Sequence, residues 1–199
     1  HHQTKSGMVE MVYKISFDYT NFLNLDLDIE ALADRVCETM GEDEFFSHSL
    51  NNLPLSEHWV DIGAKFIDVG LQNSLAPDIT LWNSSSLMLS PAAFSILESH
   101  LNPLGEFLPI TINSSTYQIF NCLNLVNVDE SNSEIEYLSG VWQGVKTIAF
   151  NAETEKKNFI FKTQFDRCSA LYCGQELLDI INSNNLEGLN FNQDLLAQF

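Results

Sequence analysis

Residues 87–112 read LMLSPAAFSILESHLNPLGEFLPITI, and this stretch carries the clearest structural pattern in the chain. Ser90 is suited to accept hydrogen bonds from the first amides of a helix, and Pro91 suits the first helical position, where no amide is needed. A turn ending at Gly105 then leads into a second apolar run. Spacings of three and four residues place three apolar side chains on one helix face: Phe94, Leu97 and Leu101. The stretch therefore predicts a strand-helix-strand unit whose helix packs into the core.

A second stretch repeats this pattern near the end of the chain. Residues 171–191 read LYCGQELLDIINSNNLEGLNF, in which Gly174 corresponds to Ser90 and Gly188 to Gly105. The separations are 105 − 90 = 15 and 188 − 174 = 14 residues. The predicted buried helix face consists of Leu177, Leu178 and Ile181. We therefore expect two similar strand-helix-strand units, which are too few for a repeat array.

The remaining periodicities favour strands over helices. Alternating or apolar runs predict strands at residues 12–19, 59–69, 145–150 and 158–162. A polar turn at residues 113–116 joins two strand-like runs and predicts a hairpin. An additional helix is expected at residues 29–40, ended by Gly41. These elements predict an α+β fold with a mostly antiparallel sheet and a few short helices.

Two further segments are assigned from their composition. Pro109 cannot donate to a sheet ladder, so its strand is expected at a sheet edge or to be bulged there. Residues 127–139, NVDESNSEIEYLS, lack a clear period and are expected to form a loop or short helix.

The length and the chain's first residues set the domain organisation. The first seven of the 199 residues, HHQTKSG, are typical of a tag remnant, and residues 8–199 are predicted to form a single domain. An acidic N-terminal subdomain at residues 8–76 is an alternative organisation. No run approaches the roughly 18 apolar residues of a membrane helix, and no export signal follows Met8. These features predict a soluble, cytoplasmic protein.

The four cysteines are too few for a disulfide framework in a chain of 199 residues. Cys168 and Cys173 are separated more widely than a redox pair, and no paired histidines complete a zinc site. We therefore expect reduced and mostly buried thiols, with no metal and no cofactor.

Charge is the most informative property of the composition. The chain has 27 acidic and 9 basic residues, for a net charge of −18. This charge disfavours nonspecific binding to nucleic acid or anionic membranes, since both surfaces are negative. Residues 18–78 carry thirteen acids and two bases (2 − 13 = −11), whereas residues 139–199 carry seven acids and five bases (5 − 7 = −2). The negative field therefore originates mainly in the first third of the chain.

Acidic residues beside aromatic ones are candidates for contact with a basic protein. Residues 41–46, GEDEFF, would offer both ion pairs and apolar anchors to a partner rich in Lys or Arg. The same pattern is equally compatible with a solvated turn and a core Phe. The predicted partner-binding residues are Glu42, Asp43, Glu44, Phe45, Phe46, Asp129, Glu130, Glu134 and Glu136.

Catalytic motifs give little support to an enzyme. The chain lacks a G-x-S-x-G elbow, a phosphate-binding Gly loop and an HExxH pair. His48, His58 and His100 occur singly. An enzyme therefore remains an alternative hypothesis, as a small hydrolase or ligand-binding protein that joins one of these histidines to a distant carboxylate. A homo-oligomeric scaffold is a third alternative, and the oligomeric state is not predicted.

The order of several short motifs resembles a known family. These are the helix headed by Ser90, the FLP of residues 107–109, Asp129 with Ser133 four residues on, and the last helix leading to Glu187, Gly188 and Phe191. Together they resemble immunity protein family 11, bacterial proteins that accompany polymorphic or secreted toxins. The resemblance covers residues 77–192, or 192 − 77 + 1 = 116 of 199 positions.

The resemblance implies a non-enzymatic immunity protein that binds and neutralises a cognate toxin, and the negative charge implies that this toxin is basic. The chain departs from the family at Gly174, where the family more often has Ser. The N-terminal third matches no family motif, so the resemblance implies the scaffold rather than the toxin-binding surface.

Overall fold

The computed structural model describes residues 11–151 and 158–198. The predicted tag remnant at residues 1–7 lies outside the described residues, as does most of the predicted turn after residue 150. The helices are α1 (Ile29–Val36), α2 (Glu42–Phe46), α3 (Pro91–Leu101) and α4 (Gln175–Ser183). The strands are β1 (Tyr13–Phe17), β2 (Asn24–Leu27), β3 (Ile62–Ile67), β4 (Ile79–Asn83), β5 (Ser86–Leu89), β6 (Gly105–Ile112), β7 (Ser115–Cys122), β8 (Glu134–Leu138), β9 (Val141–Thr147), β10 (Ile160–Phe161), β11 (Leu171–Cys173) and β12 (Leu189–Asn192).

The strands form two main sheets and a separate hairpin. Their orders are β10-β11-β1-β12, β2-β3-β6-β7-β5-β4 and β8-β9. Neighbouring strands are antiparallel, except for the parallel pair β3 and β6. The predicted α+β class with mostly antiparallel strands is confirmed.

The two predicted strand-helix-strand units are present and share one topology. In the first unit, β7 pairs antiparallel with both β5 and β6, so these two strands run parallel on either side of it. In the second unit, β1 lies between β11 and β12 in the same way. The strand β7 follows β6 through a tight turn in which Asn113 and Ser114 have positive φ, whereas β1 comes from the start of the described chain.

The two units enclose a common core. It contains Ile15 of β1, Leu87 of β5 and Phe120 of β7, together with Leu97 of α3 and Leu177 of α4. The Ser90 hydroxyl accepts a hydrogen bond from the Ala93 amide at 3.1 Å, which confirms the predicted helix start.

The N-terminal segment packs on the other face of the six-stranded sheet. A second core cluster joins Leu32 and Val36 of α1 and Phe45 of α2 to Met88 of β5 and Ile110 of β6. The strands alternate between the two cores, since Leu87 and Leu89 face the first and Met88 faces the second.

Three local predictions are wrong. The first predicted helix ends at Val36 rather than at Gly41, and Gly41 instead precedes α2, so residues 42–46 form a helix rather than a turn. Residues 134–138 form β8 instead of a loop or short helix, although a short 3-10 helix is present at Glu130–Asn132. The strand carrying Pro109 lies inside the sheet, between β3 and β7, and not at an edge. Pairing with β3 begins only at Ile110, and the Pro109 carbonyl accepts a hydrogen bond from the Trp59 indole at 2.8 Å.

Among residues 11–151 and 158–198, no helix has the length and apolar character needed to cross a membrane.

Candidate protein-binding site

The helix α2 separates its two phenylalanines between core and solvent. Phe45 is 1% exposed and belongs to the core, whereas Phe46 is 60% exposed. Their rings meet edge to face with centroids 5.1 Å apart. The structure therefore places Phe45 in the core and Phe46 at the surface. Phe46 is the exposed aromatic side chain of this segment.

The carboxylates of α2 have a structural role as well as an exposed position. Glu42, Asp43 and Glu44 occupy the first turn, where negative charge complements the positive end of the helix dipole. All three are exposed. Their location agrees with partner binding, and the helix dipole gives a second reason for their presence.

Phe46 and four carboxylates line a cleft of about 510 Å³ between α1 and α2, here named the acidic cleft. Its lining consists of Glu30, Ala33, Asp34, Cys37, Glu38, Glu42 and Phe46. The residues Glu30, Asp34 and Glu38 were missed by sequence reasoning, although their four-residue spacing places them on one side of a helix. Desolvation and the nearby charges of Glu42 and Asp34 raise the pKa of Cys37.

Phe46 also lines a second cleft, of about 500 Å³, here named the seam cleft. This cleft lies between β2 and β4, which are the two end strands of the six-stranded sheet. Its lining consists of Leu25, Asp26, Leu27, Ile29, Phe45, Phe46, His48, Ser49, Trp82, Asn83 and Ser84. Phe46 therefore lines two clefts, of which the acidic cleft has four acidic residues in its lining and the seam cleft has one.

His48 lines the seam cleft and is enclosed by aromatic side chains. It is 6% exposed and stacks between Phe45 and Trp82, with centroid distances of 5.7 and 5.9 Å. Its Nδ1 donates to the Phe45 carbonyl at 2.5 Å, which leaves Nε2 as an acceptor. Burial lowers the pKa of His48. The Nε2 atom lies 3.4 Å from Asn83 Nδ2 and 3.5 Å from Ser49 Oγ.

The other two histidines lie in different environments. His58 Nδ1 is 2.7 Å from Thr39 Oγ1. His100 stacks on Phe159 at 5.0 Å, and its Nδ1 lies 4.0 Å from Glu176 Oε1. Neither residue lines the acidic cleft or the seam cleft.

The second predicted acidic patch is on the segment leading into the β8-β9 hairpin. The Asp129 carboxylate accepts hydrogen bonds from Ser131 and Asn132, both at 2.8 Å, and these bonds lower the pKa of Asp129. Its charge therefore shapes the local turn. Glu134 pairs with Lys146 at 3.7 Å. None of the residues in this patch lines the acidic cleft or the seam cleft.

The exposed members of that patch are Glu130, Glu134 and Glu136. Glu130 lines a different cleft of about 440 Å³ together with residues of the 125–128 segment. The tip of the hairpin is apolar, with Tyr137, Leu138 and Val141 each more than 60% exposed.

All four cysteines are free thiols, and all except Cys37 are buried. In residues 11–151 and 158–198, no group of three or more His, Cys, Asp or Glu side chains is arranged to hold a metal ion.

Comparison with known proteins does not assign the chain to a family. No protein-family model matches the sequence, and no curated protein matches it either. The resemblance to immunity protein family 11 therefore stays a prediction that rests on the short motifs alone.

Proposed function

We propose that this protein is a non-catalytic, immunity-type inhibitor that binds and neutralises a basic protein toxin. In this proposal, the toxin contacts the surface formed by α1 and α2. The observation that carries the proposal is the position of Phe46, whose ring is 60% exposed and lines the acidic cleft beside four carboxylates.

Phe46 has the properties of an interface anchor. Complete burial of such a side chain contributes roughly 1.5–3 kcal/mol, and aromatic residues in desolvated pockets dominate many interfaces. The carboxylates Glu30, Asp34, Glu38 and Glu42 lie beside it and would pair with Lys or Arg. Because Phe46 is surrounded by negative charge, it favours a partner that has an apolar patch within a basic surface.

The net charge of −18 supports the same partner chemistry. Charge complementarity raises the association rate more than it raises the final affinity, and salt screens this effect. Toxins that act on nucleic acids carry basic surfaces, because their substrate is negative. A basic toxin would therefore be steered toward the acidic first third of this chain.

The alternative function, a small hydrolase, has weaker support. His48 and Ser49 both line the seam cleft, but His48 Nε2 and Ser49 Oγ are 3.5 Å apart. A base and its nucleophile usually lie within about 2.6–3.2 Å. The Nδ1 atom of His48 bonds to a backbone carbonyl rather than to an orienting carboxylate.

Coexpression tests the proposal directly. The toxin encoded beside this gene is expressed in bacteria with and without this protein, and the two proteins are then copurified. We expect growth to be restored and a stable complex to be recovered. Unrelieved toxicity together with no complex at low salt would overturn the proposal. If growth is restored without a stable complex, and the rescue requires hydrolysis of a small molecule, the result would favour the hydrolase alternative.

A further inference from the structure

The seam cleft has an apolar wall made by side chains on one face of the six-stranded sheet. Leu25 and Leu27 lie on the same side of β2, because side chains alternate along a strand. They belong to the core cluster that also contains Trp82 of β4. Leu25 and Trp82 are only partly buried, and both line the cleft. The cleft therefore presents apolar surface that the protein itself does not fully cover.

The rim of the cleft adds two exposed apolar side chains. Ile29, at the start of α1, is 42% exposed, and Phe46 of α2 is 60% exposed. Both line the cleft, whose volume is about 500 Å³. Pockets that bind small molecules typically have volumes of about 300–1,000 Å³ and mostly apolar walls. The seam cleft therefore has the size and the apolar lining of a small-molecule site.

The other end of the cleft is polar and contains a buried hydrogen-bond acceptor. The Nδ1 atom of His48 donates to the Phe45 carbonyl, so Nε2 carries the free lone pair of the neutral ring. This atom lies 3.4 Å from Asn83 Nδ2 and 3.5 Å from Ser49 Oγ, and both of those residues line the cleft. The two distances exceed the usual hydrogen-bond range of about 2.7–3.2 Å. Because His48 is only 6% exposed, bulk water reaches this acceptor poorly.

The orientation of His48 directs this acceptor to the polar end of the cleft. Its ring is held between Phe45 and Trp82, with interplanar angles of 22° and 19°. Nδ1 points at a backbone carbonyl of α2, and Nε2 points away from it, toward Asn83 and Ser49. A buried acceptor without a good hydrogen bond costs about 1–3 kcal/mol. A ligand that brings an N–H or O–H donor to this end would therefore remove part of the cost.

We propose that the seam cleft binds a neutral aromatic ring that carries an O–H or N–H donor, such as a phenol or an indole. The donor bonds to His48 Nε2. The ring packs against Leu25 and Trp82, with Phe46 at the mouth of the cleft. A planar ring buries much apolar surface and has few rotatable bonds, so little conformational entropy is lost on binding. A free small molecule and a Tyr or Trp side chain of a protein share this chemistry.

The charges around the cleft favour a neutral ligand. Phe46 also lines the acidic cleft beside four carboxylates, and the chain has a net charge of −18, so an anion is repelled. The acidic residue of the seam-cleft lining is Asp26, which lies on the opposite side of β2 from Leu25. There it pairs with Lys65 at 3.8 Å. A ligand that packs on the leucine side therefore meets no carboxylate from β2. The site is independent of the proposed function, because it requires no contact with a toxin.

The test titrates the whole chain with 4-methylphenol at pH 8. This pH is above the ordinary imidazole pKa of 6.5, and burial lowers the pKa of His48 further. The indole N–H signals of the three tryptophans are followed by NMR. We expect the Trp82 signal to shift saturably and the signal of Trp142, on the β8-β9 hairpin, to stay unchanged.

Two related compounds test the chemistry of the ligand. 4-Methylanisole has the same ring without the O–H donor, and we expect it to bind at least about fivefold more weakly than 4-methylphenol. 4-Hydroxybenzoate keeps the donor but is an anion at pH 8, and we expect a loss of at least about fivefold here too.

The His48→Phe variant tests the acceptor itself. It keeps an aromatic ring between Phe45 and Trp82 and removes Nε2. We expect it to weaken 4-methylphenol binding at least about fivefold and to change 4-methylanisole binding less than about twofold. His100→Phe, at a ring that lines neither cleft, is the matched control and should leave both affinities unchanged. If His48→Phe does not fold, the comparison of compounds on the parent chain still decides the proposal.

An unchanged Trp82 signal would overturn the proposal, as would equal binding of 4-methylphenol and either related compound. A folded His48→Phe variant that binds 4-methylphenol as well as the parent chain does would also overturn it. N-acetyl-tyrosine methylamide distinguishes the two sources of the ring. If it binds as well as 4-methylphenol, the site admits a side chain attached to a backbone. If only 4-methylphenol binds, the site is one for a free small molecule, and both results support the site.

Discussion

The Nζ atom of Lys162 donates a hydrogen bond to the backbone carbonyl of Ser49 at 3.0 Å, although Lys162 is completely buried. Its second contact is the Ser85 hydroxyl at 3.4 Å. No carboxylate lies within ion-pair distance of this amine among the described residues. The buried amine of Lys162 thus anchors the segment that carries His48 and Ser49, which form part of the seam cleft.

The first prediction concerns the pH dependence of stability at Lys162. Burial lowers the pKa of Lys162 below its ordinary value of 10.5. Between the lowered pKa and 10.5 the unfolded chain binds the additional proton, so the free energy of unfolding contributed by this group rises with pH. We expect this increase in the free energy of unfolding with pH to be absent in Lys162→Met. Urea unfolding of both proteins between pH 7 and pH 10 measures the difference.

The difference between parent and variant is needed because other buried groups also make the free energy of unfolding depend on pH. Burial raises the pKa values of Cys122 and Tyr172, and a raised acid pKa makes stability fall as pH rises. Lys146→Met is the matched control, since its side chain is 60% exposed. A parallel pH dependence for the parent chain and Lys162→Met would contradict the prediction.

A second prediction concerns the buried pair of Tyr172 and Asp166. The Tyr172 hydroxyl donates to Asp166 Oδ2 at 2.6 Å, and both residues are at most 3% exposed. Tyr172→Phe removes this donor and leaves a buried carboxyl oxygen less well bonded. We expect a loss of about 1–3 kcal/mol in the free energy of unfolding. Tyr137→Phe, at a ring 61% exposed, should change it by less than about 0.5 kcal/mol.

The stability cost of Tyr172→Phe should also depend on pH. Burial raises the pKa of Asp166 above 3.8, so the stability contributed by this group is fully present below pH 3.8 and is lost as pH rises through the raised pKa. The Tyr172 hydrogen bond opposes that shift, and its removal raises the pKa further. The cost of Tyr172→Phe should therefore be larger at pH 7 than at pH 4, as measured by urea unfolding. A cost that is the same at both pH values would contradict this mechanism.

A third prediction concerns the contact between the second strand-helix-strand unit and the start of β4. Gly188 has φ of +128°, and a Cβ atom there would collide with the Ile79 carbonyl and the Pro77 side chain. We expect Gly188→Ala to lower the free energy of unfolding by more than about 3 kcal/mol, because backbone strain and the collision add. Gly63→Ala is the control, since its Cβ would meet nothing within 4 Å. Equal thermal midpoints for the two variants would show that the junction tolerates a side chain.

The features that sequence predicted correctly are those with local causes. The Ser90 cap, the spacing of Leu97 and Leu101, and the turn at Asn113 depend on residues close in the chain. The insertion of β1 between β11 and β12 depends on pairing between residues more than 150 positions apart, as between Ile15 and Leu171. A single sequence contains no local signal for such a pairing.

Only part of the candidate site was predicted from the sequence, because the rest depends on contacts between residues that are distant in the chain. The acidic and aromatic character of residues 42–46 was recognised from the sequence. Gly41, however, was assigned as the end of the first helix, whereas it is the residue that precedes α2. A row of acidic residues after Gly41 was the available signal, because carboxylates favour the first turn of a helix. Because residues 42–46 are helical, the side chains of Phe45 and Phe46 point in different directions, and only Phe46 faces solvent. Trp82 and Asp26 join the site through tertiary packing, which the sequence does not reveal.

A fourth prediction isolates Phe46 as the anchor for the proposed toxin. We expect Phe46→Ala to weaken the complex by about 10- to 100-fold in Kd, since loss of an interface anchor costs about 2 kcal/mol or more. Its stability should change little, because the ring is 60% exposed. Leu138→Ala on the β8-β9 hairpin, at a side chain 67% exposed, is the matched control. Isothermal titration calorimetry with the purified toxin gives both values, and equal losses would remove α2 from the interface.

The last prediction separates the two acidic patches by their effect on the association rate. Reversing Glu38 and Glu42 to Lys changes the net charge by the same amount as reversing Glu130 and Glu136. The first pair lines the acidic cleft, and the second lies outside it. We expect the first double variant to slow association with the toxin at least about tenfold at low salt and to lose most of its salt dependence, because steering depends on charge close to the contact. The second double variant should slow it by less than about threefold. Stopped-flow measurements at several salt concentrations test both values, and the reverse order would place the toxin on the segment around Asp129 instead of on α1 and α2.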